Sequence, residues 1–341
     1  MRTRIATLAL LSLFYGPRAK AQAAVPILSG GVGFYSATSQ GSTTMQPVIA
    51  PVLAAPIGSR LLIESRADLR GFVFRQNGNS GPYQADFFPT LEYAQLDFFA
   101  TRNLTITAGR FLTPFNIYNE RLTPIWIHKF EDAPIIVPIG TTDGYSDGVM
   151  LRGSLLARDS YQVTYVGYFS TLSTMNKLES QRSAGGHASV FLPRYRIEVG
   201  GSYSRLLQDQ RMNFEGVFFT WQPPATPLDI KSEYAHSPRG QGYWIEAGYR
   251  LSGIKRMPNA IGRWEALTRV QQFQRLQLGS GDSLPRLNTQ EVDAGAQYHF
   301  THEVRLTATY GRQWTSTTGR NIWEFGLTYR FLFPAWPGGA Q

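Results

Sequence analysis

The stretch whose reading decides the fold runs NLTITAGR at 103–110, a long connection over 111–147, and GVMLRGSLL at 148–156. Apolar and polar residues alternate in both flanks. That is the period of a β-strand with two unlike faces. The connection is rich in proline and aromatic residues, among them Phe115, Tyr118, Trp126 and Phe130. Unstructured connections longer than about 12–15 residues are uncommon in compact domains and are usually functional. So large an apolar loop would form an exposed patch that soluble surfaces avoid. It is expected to be buried inside whatever the strands enclose, with packing at a subunit interface as the second option.

The alternation extends outward along the chain. Over 60–71 the even positions carry Arg60, Glu64, Arg66, Asp68 and Arg70, and the odd positions carry Leu61, Ile63, Ala67 and Leu69. One face is charged and the other apolar, so the strand separates water from an apolar phase. Similar two-faced segments recur at 196–205, 227–235, 243–251, 291–300 and 304–313, and at 323–333, where Trp323, Phe325, Leu327 and Tyr329 share one face. Helical periodicity is almost absent. Connections alternate between short ones, such as 101–103, 157–160 and 301–303, and longer ones at 76–90, 111–147, 171–181 and 277–289. Short turns at one rim and long loops at the other characterise transmembrane β-barrels. The fold class expected is therefore all-β, a transmembrane antiparallel up-and-down β-barrel of about 16 strands with one long loop folded into the lumen. The count falls to about 14 if the Pro47- and Pro51-containing segment is an N-terminal arm, since proline disrupts a paired strand.

The termini add an address. MRTR at 1–4, an apolar run over 5–15 and the AKA and AQA triplets at 19–23 make residues 1–23 a secretory signal peptide. The barrel is then expected over 24–333, with a short tail at 334–341. The chain has no cysteine, so no disulfide framework holds it together. The formal charge is +9, but the arginines are scattered singly rather than clustered. Export and this scatter argue against nucleic acid and for contact with anionic lipopolysaccharide or anionic solutes.

The GRFLTPF segment at 109–115, leaving a strand after the hairpin 91–109, resembles the phosphate-selective (O/P-type) porin family of Gram-negative outer membranes. The close match covers only this neighbourhood. The resemblance implies a 16-stranded, trimeric outer-membrane porin inserted by the barrel-insertion machinery, whose signal the aromatic final strand looks like. It does not extend to phosphate selectivity, because the basic ladder of that family cannot be aligned here.

The inward faces carry the candidate function. Expected pore-lining residues are Arg66, Arg70, Asp97, Arg152, Arg196, Glu198, Lys231, Arg250, Arg269 and Arg305, with further acids at Glu64, Asp68, Glu215, Asp229, Glu233, Glu246, Glu265, Glu291, Asp293 and Glu324. An Arg or Lys facing the lipid midplane costs about 2–4 kcal/mol. Counting Arg263 and Arg330 as well, the inward faces carry ten Arg and Lys, and ten such residues would exceed a typical stability of about 5–15 kcal/mol. These charges must line water or pair with one another. The loop places Glu120, Arg121, His128, Lys129, Glu131 and Asp132 at the expected constriction. No catalytic or nucleotide-binding motif is present, the five histidines are scattered, and neither a metal site nor a cofactor is expected. The reading is a passive channel for small hydrophilic solutes or ions. The alternatives are an outer-membrane hydrolase on a plugged barrel and a non-conducting anchor or adhesion barrel.

Overall fold

The computed structural model describes residues 25–75, 80–141, 144–172, 182–208, 211–253, 261–278 and 282–334. The expected signal peptide, residues 1–23, and most of the expected tail lie outside them. The strands are β1 (Ile27–Ser39), β2 (Ser42–Ile57), β3 (Leu61–Arg75), β4 (Tyr83–Thr101), β5 (Leu104–Leu112), β6 (Tyr145–Ala157), β7 (Gln162–Leu172) and β8 (Ser183–Leu192). They continue with β9 (Ile197–Leu206), β10 (Asn213–Trp221), β11 (Leu228–Ser237), β12 (Gly240–Arg250), β13 (Trp264–Arg275), β14 (Thr289–His299), β15 (Val304–Thr315) and β16 (Gly319–Pro334). Every strand pairs antiparallel with its neighbours in sequence, and β1 pairs with β16 to close a 16-stranded barrel. Closure leaves no sheet edge running the length of the wall. Among the described residues no helix is long and apolar enough to cross a membrane.

The segment containing Pro47 and Pro51 is a full stave, β2, so the smaller strand count does not apply. Its ladder to β1 is continuous, including Phe34↔Pro47 and Gly30↔Pro51. Its ladder to β3 skips Gln46–Pro47 and Ala50–Pro51. The two prolines are four residues apart, so their missing N–H groups fall on the same side. Only one of the two ladders is interrupted.

The alternation resolves as read. Val149, Leu151, Val190, Val199, Ile245, Val270, Val292 and Phe325 are exposed on the outer wall, while Glu233, Glu246, Arg269, Glu291, Asp293 and Gln297 are buried inside it. Three boundaries differ from the sequence reading. The connection expected at 76–90 is mostly strand, because β4 begins at Tyr83 and pairs with β3 from Arg75↔Tyr83 onward. The central loop is bounded by Leu112 and Tyr145, so it spans 113–144 rather than 111–147. Arg196 sits in the turn before β9 with φ 50, not on the strand.

One face is inverted. Glu215 lies exposed beside Val217, whereas Phe214 and Phe218 are buried inside. Glu215 is near the long-loop end of β10, where an outward charge is tolerated better than at the lipid midplane.

Candidate functional site

The loop over 113–144 crosses the barrel interior. Within β5, three residues before the loop begins to leave the strand, Gly109 has φ +119, and a Cβ there would lie 2.5 Å from the Ala94 carbonyl oxygen, so no other side chain fits comfortably. Phe111 follows, fully buried against Met150 and Tyr168. Pro114, Pro124, Pro134 and Pro138 then keep the chain from continuing as strand or forming a long helix. Asn116 adopts φ 54, and a single π-type turn covers Tyr118–Leu122. The Asn119 amide ties the two ends of the loop, donating to the carbonyls of Thr113 (2.9 Å) and Gly144 (2.6 Å).

Apolar packing holds one side. Phe115, Ile117, Tyr118, Leu122, Ile136 and Ile139 form a core with Phe214, Phe218, Ala235, Trp244 and Phe273 of the inner wall of β10–β13. Gly140, at φ +80, lies under the Phe115 ring, where a Cβ would meet ring atoms at 2.7 Å. This core accounts for the inverted face of β10, because the loop supplies an apolar phase inside the barrel. A second cluster seats Ile125 against Tyr35, Val48 and Ala50 on the opposite wall.

Polar pins complete the attachment. Glu233, 3% exposed, accepts hydrogen bonds from the amides of Ile117 (2.7 Å) and Tyr118 (2.6 Å) and from the Trp244 indole (3.0 Å). Arg305 donates to the carbonyls of Ile125 (2.6 Å) and His128 (2.7 Å), and Arg269 donates to that of Asp132 (2.7 Å). Gln297 donates to the Lys129 carbonyl, and the Ile135 amide donates to Gln271. The loop is thus bonded to strands around most of the circumference.

The expected constriction residues divide into two groups. Lys129 is buried between Asp229 and Glu265, each 2.9 Å away. Burial works to lower its pKa, but the two carboxylates outweigh burial and hold it above the ordinary value. Glu131 pairs with Arg70 at 2.9 Å, and burial pushes its carboxyl up to about 7 against the pull of that arginine. His128 meets the Tyr35 hydroxyl at 3.2 Å, and burial together with Arg305 and Arg70 pushes it down to about 3. It is neutral near pH 7, so its 3.9 Å approach to Glu131 is not an ion pair. Lys129, Glu131 and His128 are anchors. Arg121 and Asp132 reach open space, with Arg121 bonded to Glu198 at 2.7 Å and Asp132 exposed, and Glu120, largely buried, lines the cavity beside Arg121.

The expected pore-lining residues are likewise engaged. Arg66 is bonded to Glu92 and to the Thr123 hydroxyl. Asp97, fully buried, accepts from Thr107, Gln95 and Arg152. Lys231 pairs with Asp229 (2.5 Å), and Arg269 pairs with Asp293 (2.9 Å) and lies over the Phe130 ring. Arg196 and Arg250 share a cavity of about 380 Å³ at the short-turn rim with Lys129, Glu265, His299 and Arg305. A cavity of about 460 Å³ lies between Glu120–Arg121 and the wall of β5–β8, and one of about 700 Å³ opens at the long-loop rim beside residues 133–138 and 283–289.

Glu92 was missed as an inward residue. A β-bulge sets Arg66 against Tyr93 and Ala67 against Leu91, so Glu92 is the extra residue and strand parity changes there.

The closed 16-stranded barrel is similar in fold to solved outer-membrane proteins, several of them porins. OmpF of Salmonella typhi superposes with a TM-score of 0.60 at 15% identity, over 90% of this chain and 97% of that one. The anion-selective porin of Comamonas acidovorans gives 0.58 at 9% identity, over 89% and 99%. A trimer form of OmpT, an outer membrane protein of Vibrio cholerae, gives 0.57 at 12% identity, over 91% and 100%. At these identities the likeness is one of fold. No protein-family model matches the chain, and no curated protein matches it in sequence.

Proposed function

We propose that this protein is a passive channel of a Gram-negative outer membrane, admitting small hydrophilic solutes or ions past a constriction made by the loop over 113–144. The observation that carries it is the loop itself. It is pinned to the inner wall from β1 to β15, yet water-accessible cavities persist at both rims and beside Glu120 and Arg121. An apolar outer belt faces lipid, and most ionised side chains of the strands face the interior, Glu215 excepted. Most of the short turns, together with the start of β1 and the end of β16, lie at one rim, the periplasmic one in this reading.

Selectivity follows from which charges are free. Lys129, Glu131 and Arg269 are each paired with residues of the wall, Lys129 with Asp229 and Glu265, Glu131 with Arg70 and Arg269 with Asp293, so they hold the eyelet rather than filter ions. Arg121 and Arg152 keep substantial exposure, as do the rim residues Arg196 and Arg250, and these set the ion preference. Lipopolysaccharide, the barrel-insertion machinery and two further copies in a homotrimer are the partners proposed. Liposome swelling tests the reading. Folded protein should admit sugars at rates that fall with solute size, whereas liposomes that admit none overturn it.

A further inference from the structure

The cavity beside the loop carries more than a passage. It is bounded by Glu120 and Arg121 of the π-type turn, Thr105 of β5, Arg152 of β6, Thr164 and Tyr165 of β7, and His187 of β8, and measures about 460 Å³. That is within the range of small-molecule pockets. Each arginine is held from behind by one carboxylate. Arg121 spends Nη1 on Glu198 (2.7 Å), and Arg152 spends Nη2 on Asp97 (2.8 Å). The side chains of Arg121 and Arg152 are 40% and 38% exposed, while those of Glu198 and Asp97 are 15% and 0% exposed. A solute therefore meets the cations, not their counter-ions. His187 supplies the independent observation. It is 6% exposed, its ring stands edge-on to Phe218 at 5.8 Å, and its Nδ1 has no hydrogen-bond partner. The Glu120 carboxyl lies 3.8 Å away, beyond hydrogen-bond reach. A buried nitrogen left without a partner costs about 1–3 kcal/mol. A ligand hydroxyl would satisfy it.

Resting on the channel reading above, we propose that this cavity is a binding subsite for a small hydroxycarboxylate, its carboxylate on the free N–H edges of Arg121 and Arg152 and its hydroxyl donating to Nδ1 of His187. A plain carboxylate can use the arginines but leaves Nδ1 unpaired, which makes the hydroxyl the specificity element. Glu120 modulates occupancy. Burial pushes its carboxyl up to about 7, opposed by Arg121 and Arg152. The other titratable groups facing it are the neutral His187, Glu198 behind Arg121 and Asp97 behind Arg152, with Glu64 further back against Gln95. Ionising Glu120 places a like charge beside the bound carboxylate, so affinity falls as pH rises from 6 to 8.

Isothermal titration of the full-length, detergent-folded protein at pH 6 with glycolate and with acetate tests this. Glycolate should bind about three- to tenfold more tightly, the worth of one hydrogen bond. His187→Phe should erase that difference while leaving acetate binding in place, and Arg121→Gln should weaken both. Equal affinities in the wild type, or an unchanged preference in His187→Phe, overturn the subsite. The channel is judged separately by conductance. Folded protein that binds glycolate but passes no current keeps the subsite and overturns the channel, and conducting protein without the preference does the reverse.

Discussion

Replacing Glu233 should loosen the loop where it meets the wall. This carboxylate takes three N–H donors, two from the backbone of Ile117 and Tyr118 and one from Trp244. In Glu233→Ala all three lose their acceptor at a site only 3% exposed. Each unsatisfied donor costs about 1–3 kcal/mol, about 3–9 kcal/mol in sum, part of which entering water offsets. At a factor of ten per 1.4 kcal/mol, even the low end raises local opening about a hundredfold. Glu233→Gln is the graded control. Both backbone amides donate to one oxygen, which a glutamine retains, while its NH₂ would oppose the Trp244 N–H. One bond to a charged acceptor is lost, worth about 1.5–3 kcal/mol. Hydrogen exchange read by mass spectrometry on peptides spanning 113–122 should rank wild type slowest, glutamine intermediate and alanine fastest, and single-channel recordings should grow noisier in the same order. Exchange in this peptide unchanged by Glu233→Ala would refute the docking described for the loop.

Deleting residues 123–137 removes the partners of Arg305, Arg269 and Asp229 and should raise single-channel conductance severalfold; unchanged conductance places the constriction elsewhere. Gly109→Val forces a β-branched residue to φ +119 against the Ala94 carbonyl, a strain of about 1–3 kcal/mol or more, and should lower the yield of heat-modifiable folded barrel. The raised pKa of Glu131 means that the folded state holds its proton more tightly than the unfolded chain. Its contribution to stability is full below the ordinary carboxyl pKa and is lost as pH rises through about 7. Thermal unfolding should therefore shift downward across that window, and Glu131→Gln should flatten the shift. An unaltered slope in the variant would assign it to other groups.

Much of this arrangement is legible in the chain because a barrel wall imposes a strict period of two. Arg66, Arg70, Asp97, Arg152, Glu198, Lys231, Arg269 and Arg305 all have partners or cavities inside the wall, where alternation puts them. The failures occur where the period breaks. Glu92 escapes because a bulge shifts parity by one residue, and a bulge has no sequence mark here beyond a crowded aromatic hairpin. Glu215 reads as inward only if every apolar face is assigned to lipid. Phe214 and Phe218 show that the interior has its own apolar phase once the loop is in place. The even spacing of Trp244 with Glu246 offered that signal, since a tryptophan on a charged face needs something apolar to meet it. The loop's polar residues were legible as a set, but their division into anchors and exposed groups was not. That division depends on distant partners such as Asp229 and Glu265 for Lys129.

The most direct measurement is single-channel conductance of the folded, full-length protein in a planar bilayer under a KCl gradient. An open porin gives stable, ohmic steps, with a reversal potential on the anion side if Arg121, Arg152, Arg196 and Arg250 dominate the free charge. A demonstrably folded barrel that produces no steps would contradict the channel reading.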